Sequence, residues 1–570
     1  MSTTYATLSA RLGEAFDSLL PGADPALRSS DRADFQANGV MALAKSLGRP
    51  PREVAQDVIN AVHLDGVAEL AVAGPGFLNV TVHEEFLNHQ LRAALADERL
   101  GAVPTAAAKR VVIDYSSPNV AKEMHVGHLR GTIIGDALAR LYRFAGHEVI
   151  ARNHVGDWGT PFGMLIEHLV DLGQDGADAT LSIADLDGFY RDARHAFDGD
   201  EAMRERSRAR VVALQSGDPE TRRLWGILFE RSVNYISDVY AKLNVTLRRE
   251  DVVGESYYND SLAGVVRDLD ALGLLVDSDG ARCVFPPGFT NRLGEPLPLI
   301  VQKRDEGFGY AATDLAALRD RVEVLRANEL IYVVGAPQAQ HFEMIFAVAR
   351  RAGWLSDSVH CEHVAFGHVL GTDHKMLKSR QGESVKLAAL LAEAVERAYV
   401  ALDERATVAT NERYDLARAI ALGAIKYADL STERQHDYVF DLDRMVSFEG
   451  NTGPYLQYAH ARVASIFRRA PEGYSSEVHF TLSTPPERAL ALALLAWPEA
   501  VAGALESHQP HRLCTYLFDL AQRFATFYDV CPVLKAPPSL RDERLALCDL
   551  SARALAQGLS LLGIDAPTQM

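Results

Sequence analysis

The alternation of apolar and polar positions divides the chain into three stretches. Up to about Thr105 it reads as a small α/β unit. Val40 to Leu47 repeats at helical spacing and stops at Gly48, and Pro50-Pro51 opens a second helix, PREVAQDVINAV. Val67 to Val72 and Phe77 to Val82 read as strands around the turn Gly74-Pro75-Gly76, and Pro104 with the alanines after it forms a linker. The second stretch opens with Val111-Val112-Ile113, a short apolar run suited to a buried parallel strand. The loop SSPNVAKEM follows. Leu129, Ile133, Ala137 and Leu141 then repeat at helical spacing, Gly146 ends that helix, and Glu148 to Ala151 returns to strand. Strand, loop, helix and strand over this length make a βαβ unit, the core of a nucleotide-binding α/β domain. Asp175 to Arg231 is charged and mostly helical and reads as an insertion, and apolar strands return at Leu299 to Val301 and Ile331 to Val334. After about Thr410 come Ala- and Leu-rich helices: LARAIALGAIKYADL, YLQYAHARVASIFRR, RALALALLAWPEAV, RLCTYLFDLAQRFATFYDV and a last segment to Leu562. They predict a helical bundle.

Composition adds bounds. With 570 residues, 48% hydrophobic and 24% charged, the chain is long enough for several domains with large cores. The cysteines Cys283, Cys361, Cys514, Cys531 and Cys548 include no C-x-x-C pair, so neither a disulfide framework nor a structural zinc site is expected, and a reducing cytoplasm fits. No apolar run approaches the roughly 20 residues of a membrane span, and no signal peptide is evident. The formal net charge of −18 argues, taken alone, against nucleic-acid binding. Net charge says nothing about patches, and a large acidic protein can carry a local basic groove.

Two short motifs carry candidate chemistry. His125-Val126-Gly127-His128 falls where a buried strand has ended and a helix begins. The histidines share a helical face, the helix start offers free N–H groups to a phosphate, and Gly127 lets a nucleotide approach the backbone. An isolated H-x-G-H is more often two surface histidines; the flanking strand and helix set this one apart. Lys375-Met376-Leu377-Lys378-Ser379 is a basic loop between Gly371 and Gly382, suited to clamping a departing pyrophosphate. Alone it would be a solvated loop; paired with HVGH in an α/β domain it becomes specific.

HVGH followed by KMLKS resembles the HIGH and KMSKS signatures of class I aminoacyl-tRNA synthetases. DYSSPNVAKEMHVGHLRGTIIGDAL, NHVGDWGTPFGMLI, GYAATDLAAL and FEGNTGPYLQYAHARV resemble the arginine-specific members, as do QANGVMALAK, GPGFLNV and the ending GLSLLGIDAPTQM. Leu377 departs from the first Ser of KMSKS, so one hydroxyl contact is missing, and Pro161 stands where the family often has Gln. The resemblance implies a Rossmann-type parallel-sheet catalytic domain at 106–410 with a helical insertion near 175–231. It sits between an N-terminal α/β tRNA-contacting domain at 1–105 and an all-α anticodon-binding bundle at 411–570. It also implies ATP with Mg2+, L-arginine and tRNA(Arg) as partners, in a cytoplasmic monomer with no metal site and no membrane contact.

By the same resemblance His125, Gly127, His128, Lys375 and Lys378 bind ATP, and both histidines and both lysines, helped by Lys122, carry the catalytic charge work. Tyr310 and Asp314, one helical turn apart in GYAATDLAAL, hold the guanidinium, a rigid fork of donors that needs a carboxylate. Asn119 and Gln338 bind elsewhere on the amino acid, and Asp114 its α-amino group. In the bundle, Tyr427, Phe448, Tyr455, Tyr458, Arg462, Arg468 and Arg469 mix rings and cations, some of which are expected to touch RNA. A cysteine or glutamate synthetase is the nearest rival, the first lacking its zinc-spaced Cys/His set here. The long C-terminal bundle disfavours a small-molecule nucleotidyltransferase, and intact signatures disfavour a non-catalytic tRNA-binding relative.

Overall fold

The computed structural model describes residues 2–120, 122–173, 186–304, 307–377, 385–403, 412–470, 474–475 and 477–570. In the N-terminal unit Gly48 ends the helix Val40–Leu47 at φ 63°, its N–H reaching back to Ala44 O and Lys45 O. Pro51 sits in the first turn of Pro51–Ala61, where a missing N–H costs nothing. Strands Leu27–Ser29, Phe35–Ala37, Phe77–Val82 and Ala68–Ala73 pair in that order as an antiparallel sheet. The helices Thr4–Leu19 and Glu84–Ala96 and the first two strands go beyond the sequence expectations; those strands are three residues each, too short for alternation to show.

Five parallel strands form the central sheet, in the order His360–His363, Glu329–Val333, Arg110–Tyr115, Glu148–Val155, Val252–Gly254. The chain winds outward from Arg110–Tyr115 on one side and returns on the other with Glu329–Val333. The crevice between the carboxyl ends of those two strands is the switch point at which such sheets bind nucleotides. Val111 to Tyr115 are all buried, as an apolar central strand requires. Leu299–Gln302 lies elsewhere, in an antiparallel sheet with Ala281–Val284 and Val276–Ser278. Leu299 and Val301 are buried while Ile300 between them is exposed, the alternation of a sheet with one solvated face.

Helices Leu186–Gly199, Glu201–Ser216 and Pro219–Lys242 make up the described part of the insertion, the last running past the expected end at Arg231. With Thr160–Asp171 they enclose a core of their own around Phe162, Leu165, Phe189 and Leu228. The bundle comprises Arg413–Leu430, Gly453–Arg469, Pro485–Leu495, Trp497–Glu506, Pro510–Val530 and Pro538–Leu561. RALALALLAWPEAV is thus two helices, because Pro498 lies in the first turn of the second. The helix Leu129–Phe144 is sandwiched between sheet and bundle. On one side a Cβ at Gly135 would lie 2.3 Å from Tyr115 Cβ, so only glycine permits that approach. On the other, Arg130 pairs with Asp429 at 3.3 Å, both buried. No single helix among the described residues is long and apolar enough to cross a membrane.

Candidate active site

The HVGH segment forms one tight turn, Val126–His128, leading directly into Leu129–Phe144. His125 caps it: its Nδ1 accepts from Gly127 N–H at 3.0 Å, and its own N–H donates to His128 Nδ1 at 3.2 Å. Both Nδ1 atoms act as acceptors, so the proton of each neutral ring resides on Nε2. The ring centroids are 4.0 Å apart. Burial first, and then the neighbouring His125, push the His128 pKa down to about 3, so it is a neutral donor at any physiological pH. A Cβ at Gly127 would lie 2.8 Å from the His125 ring; glycine is what allows the ring to fold over its own turn. Just before, Ser116 and Ser117 take left-handed backbone at φ 75° and 46°, strain of the kind stored at functional loops. Lys122 is exposed, its ammonium 4.1 Å from the centre of the Tyr190 ring on the insertion.

The second signature is tied to the first. Val126 N–H donates to Val385 O and Leu387 N–H to Met124 O, both at 2.9 Å, so the chain leaving the lysine loop runs antiparallel to the HVGH turn. Lys386 adds an ion pair to Glu123 at 3.2 Å. On the entering side Gly371 N–H donates to Lys375 O at 2.8 Å, leaving Lys375 exposed on a hairpin tip. Lys378 lies outside the described residues. Leu377 packs against the main core and lines a cleft with Val385, Leu390, Phe440 and Leu442, so an apolar side chain there anchors the loop in place of the missing hydroxyl. Pro161 falls in the first turn of Thr160–Asp171, where an N–H is not needed.

Asp314 lies partly buried on Tyr310–Arg319, and His341 Nε2 donates to its Oδ2 at 2.6 Å. Tyr310, on the same helix, is 77% exposed. Asn119 and Gln338 are exposed at the carboxyl ends of the sheet; Asn119 bridges to Gly156, where a Cβ would lie 2.6 Å from its Oδ1. Asp114 is buried near the end of the central strand. Its Oδ2 accepts from Arg321 Nη2 at 2.6 Å and its Oδ1 from Ser117 Oγ at 3.1 Å, so both oxygens already have protein partners.

Periodicity does not single out Glu255, which follows the edge strand Val252–Gly254. Burial, then Asp157, then Asp314 raise its pKa to about 7. Asp157, fully buried, is raised to about 6 by burial, and Ser256 donates to it from both N and Oγ. Glu255 thus lies within electrostatic reach of two other acids, Asp157 and Asp314. The one signal in the sequence is an acid directly after the apolar run Val252-Val253-Gly254.

Three family models match the chain: "tRNA synthetases class I (R), catalytic domain" over 90–442, "DALR anticodon binding domain" over 456–570, and "Arginyl tRNA synthetase N terminal domain" over 6–82. The chain belongs to the arginyl-tRNA synthetase family. An arginine–tRNA ligase of Thermobifida fusca is 51% identical, with 98% of this chain and 97% of that one covered. One from Frankia casuarinae is 50% identical at the same coverage. Among solved structures, arginyl-tRNA synthetase from Plasmodium falciparum superposes with a TM-score of 0.86 at 28% identity, covering all of both chains. That from Thermus thermophilus superposes at 0.82 and 28%, covering 99% of each.

In the bundle of this family member the aromatic and basic candidates separate. Tyr427 is fully buried, its hydroxyl donating to Asn451 Oδ1 at 2.6 Å and Cys514 O at 3.1 Å, so its ring has no face for a base. Phe448 packs against the core. Tyr458 is 46% exposed, and Arg462, one turn on, lies over the Tyr528 ring and pairs with Asp529 at 3.3 Å. Tyr455, partly exposed, packs on Phe518, and Arg468 and Arg469 are exposed beyond them.

Proposed function

We propose that the chain activates L-arginine with ATP to arginyl-adenylate, releasing pyrophosphate, and transfers the arginine to the 3′-terminal ribose of tRNA(Arg), releasing AMP. The observation that carries this reading is the backbone pairing of the HVGH turn with the chain leaving the lysine loop, at the switch point of a parallel sheet. The arginine carboxylate attacks the α-phosphorus and the bond to pyrophosphate breaks. The ribose hydroxyl then attacks the adenylate carbonyl and AMP leaves. No side chain forms a covalent bond, so the work is positioning and charge stabilisation. His125 and His128 donate from Nε2 to the phosphates, Gly127 lets them approach, and Lys375 and Lys378 follow the departing pyrophosphate, with Lys122 assisting. Magnesium enters with ATP as the substrate's own counter-ion.

Asp314 and Glu255 receive the guanidinium, with Tyr310 closing over it and Asn119 and Gln338 engaging the rest of the amino acid. Asp114, fixed at the strand end by Arg321 and Ser117, keeps acceptor sites for the α-amino group. The division at residues 105 and 410 assigns tRNA contact to 1–105, chemistry to 106–410 and the anticodon region to 411–570, with Tyr458, Tyr455 and Arg462 as the RNA-facing group. A reducing compartment such as the cytoplasm accords with five free cysteines. Charging of total tRNA with each of the twenty amino acids tests the reading: arginine alone should be esterified, and charging with any other, or none at all in ATP–pyrophosphate exchange with tRNA present, overturns it.

A further inference from the structure

Asp314 already has a partner. His341 Nε2 donates to its Oδ2 at 2.6 Å, and the two side chains are only 26% and 23% exposed. His341 lies on Ala339–Arg351, three residues after Gln338, whereas Asp314 lies on Tyr310–Arg319. The bond therefore ties together two helices, one following the strand Leu299–Gln302 and the other the strand Glu329–Val333. Glu255, Asp157, the half-buried His154 and the Asp114–Arg321 pair are titratable or charged groups nearby, and Asp314 acts electrostatically on both Glu255 and His154.

A carboxylate's terminal torsion is broad, with no strongly preferred setting of its own. Without a partner, Asp314 is therefore free to turn its oxygens away from the place where a cation must be met. An imidazole N–H at 2.6 Å selects one setting. We propose that His341 is a positioning residue for arginine recognition: it holds Asp314 by Oδ2, so that Oδ1 is presented to the guanidinium. This rests on the reading that Asp314 receives the guanidinium.

Steady-state kinetics of the full-length enzyme, with arginine and ATP varied separately, distinguish this role from a helix–helix contact. His341→Ala should raise the arginine KM roughly ten- to a hundredfold, the loss of a hydrogen bond to a charged group. Turnover and the ATP KM should stay within about twofold, as befits a change in substrate binding alone. His341→Gln, which keeps an N–H near the Nε2 position, should recover most of the affinity. In an Asp314→Asn background, His341→Ala should add nothing. Equal changes in both KM values, failure of Gln to rescue, or additive effects in the double variant overturn the role of His341. If Asp314→Asn itself leaves the arginine KM unchanged, the guanidinium reading falls; if that substitution raises KM while His341→Ala does not, only the positioning role falls.

Discussion

Arg321 and Asp114 form a buried ion pair, Nη2 to Oδ2 at 2.6 Å, with side chains 1% and 7% exposed. The arginine lies in the wider turn Asp320–Val324 that continues the Asp314 helix, and the aspartate is the last residue but one of the central strand Arg110–Tyr115. The guanidinium also lies 4.8 Å from the centre of the Tyr332 ring, so it is wedged between the strand ends on either side of the switch point. This pair fixes where the strained Ser116-Ser117 loop begins.

Replacing Arg321 with Met keeps length and removes the charge, leaving Asp114 buried and unpaired. The expected cost is about 3–5 kcal/mol of stability, the usual result of breaking one side of a buried pair. Adding Asp114→Asn should restore part of it. Urea unfolding of the single and double variants measures both, and a loss for Arg321→Met no larger than that of a surface substitution would show the pair to be dispensable.

His128→Ala should lower kcat by roughly 10²–10³, the loss typical of one transition-state donor, with ATP binding far less affected. The ring's depressed pKa also gives a sign. Between about 3 and 6.5 the unfolded chain binds the proton that folded His128 refuses, so its contribution lowers stability as pH falls through that window. The kcat profile should show no His128 titration between about pH 6 and 8. An inflection there that disappears in His128→Ala, or an unchanged kcat, contradicts the assignment.

Much of this was legible in the sequence, and the limits have physical causes. The central strand, the helix behind HVGH, the Gly48 stop and the bundle follow from periodicity and breakers, which are local. The partners of the site residues are not local: Asp114 meets Arg321 across 207 positions, and Asp314 meets His341 from another helix. No spacing rule relates such pairs. Glu255 is a lone acid in the sequence and becomes conspicuous only beside Asp157 and Asp314. Tyr427 looked like a base platform because aromatics and cations interleave there, yet its helix is apolar almost all round and its ring is core.

If Glu255 receives the guanidinium, arginine binding should depend on pH. With its folded pKa at about 7, a proton must leave before the carboxylate can meet a cation. The arginine KM should therefore rise as pH falls below about 7, approaching tenfold per unit, and level off above it. The ATP KM should not follow, and Glu255→Gln should flatten the profile while raising the arginine KM throughout. Stability carries the opposite sign: the folded state binds more protons between 4.5 and about 7, so this group's contribution declines as pH rises through that range. An arginine KM flat from about pH 6 to 8 in the unmodified enzyme excludes Glu255 from the pocket.

The bundle supplies a discriminating comparison between two tyrosines. Tyr458 is exposed beside Arg462, whereas Tyr427 is buried and hydrogen-bonded to Asn451 and Cys514 O. If Tyr458 carries a base, Tyr458→Ala removes a stack worth about 1–3 kcal/mol, raising the tRNA KM by roughly fivefold to a hundredfold. If Arg462 leaves Asp529 for a phosphate, Arg462→Ala should weaken tRNA binding and lower the salt slope by about 1. Tyr427→Phe should cost about 1 kcal/mol of stability for its lost hydrogen bonds and leave the tRNA KM unchanged. Filter binding of tRNA across a salt series, alongside thermal unfolding, reads all three variants. The reverse pattern, with Tyr427→Phe impairing tRNA binding and Tyr458→Ala silent, would mean that RNA is read from another face and that Tyr458 is simply a solvated ring.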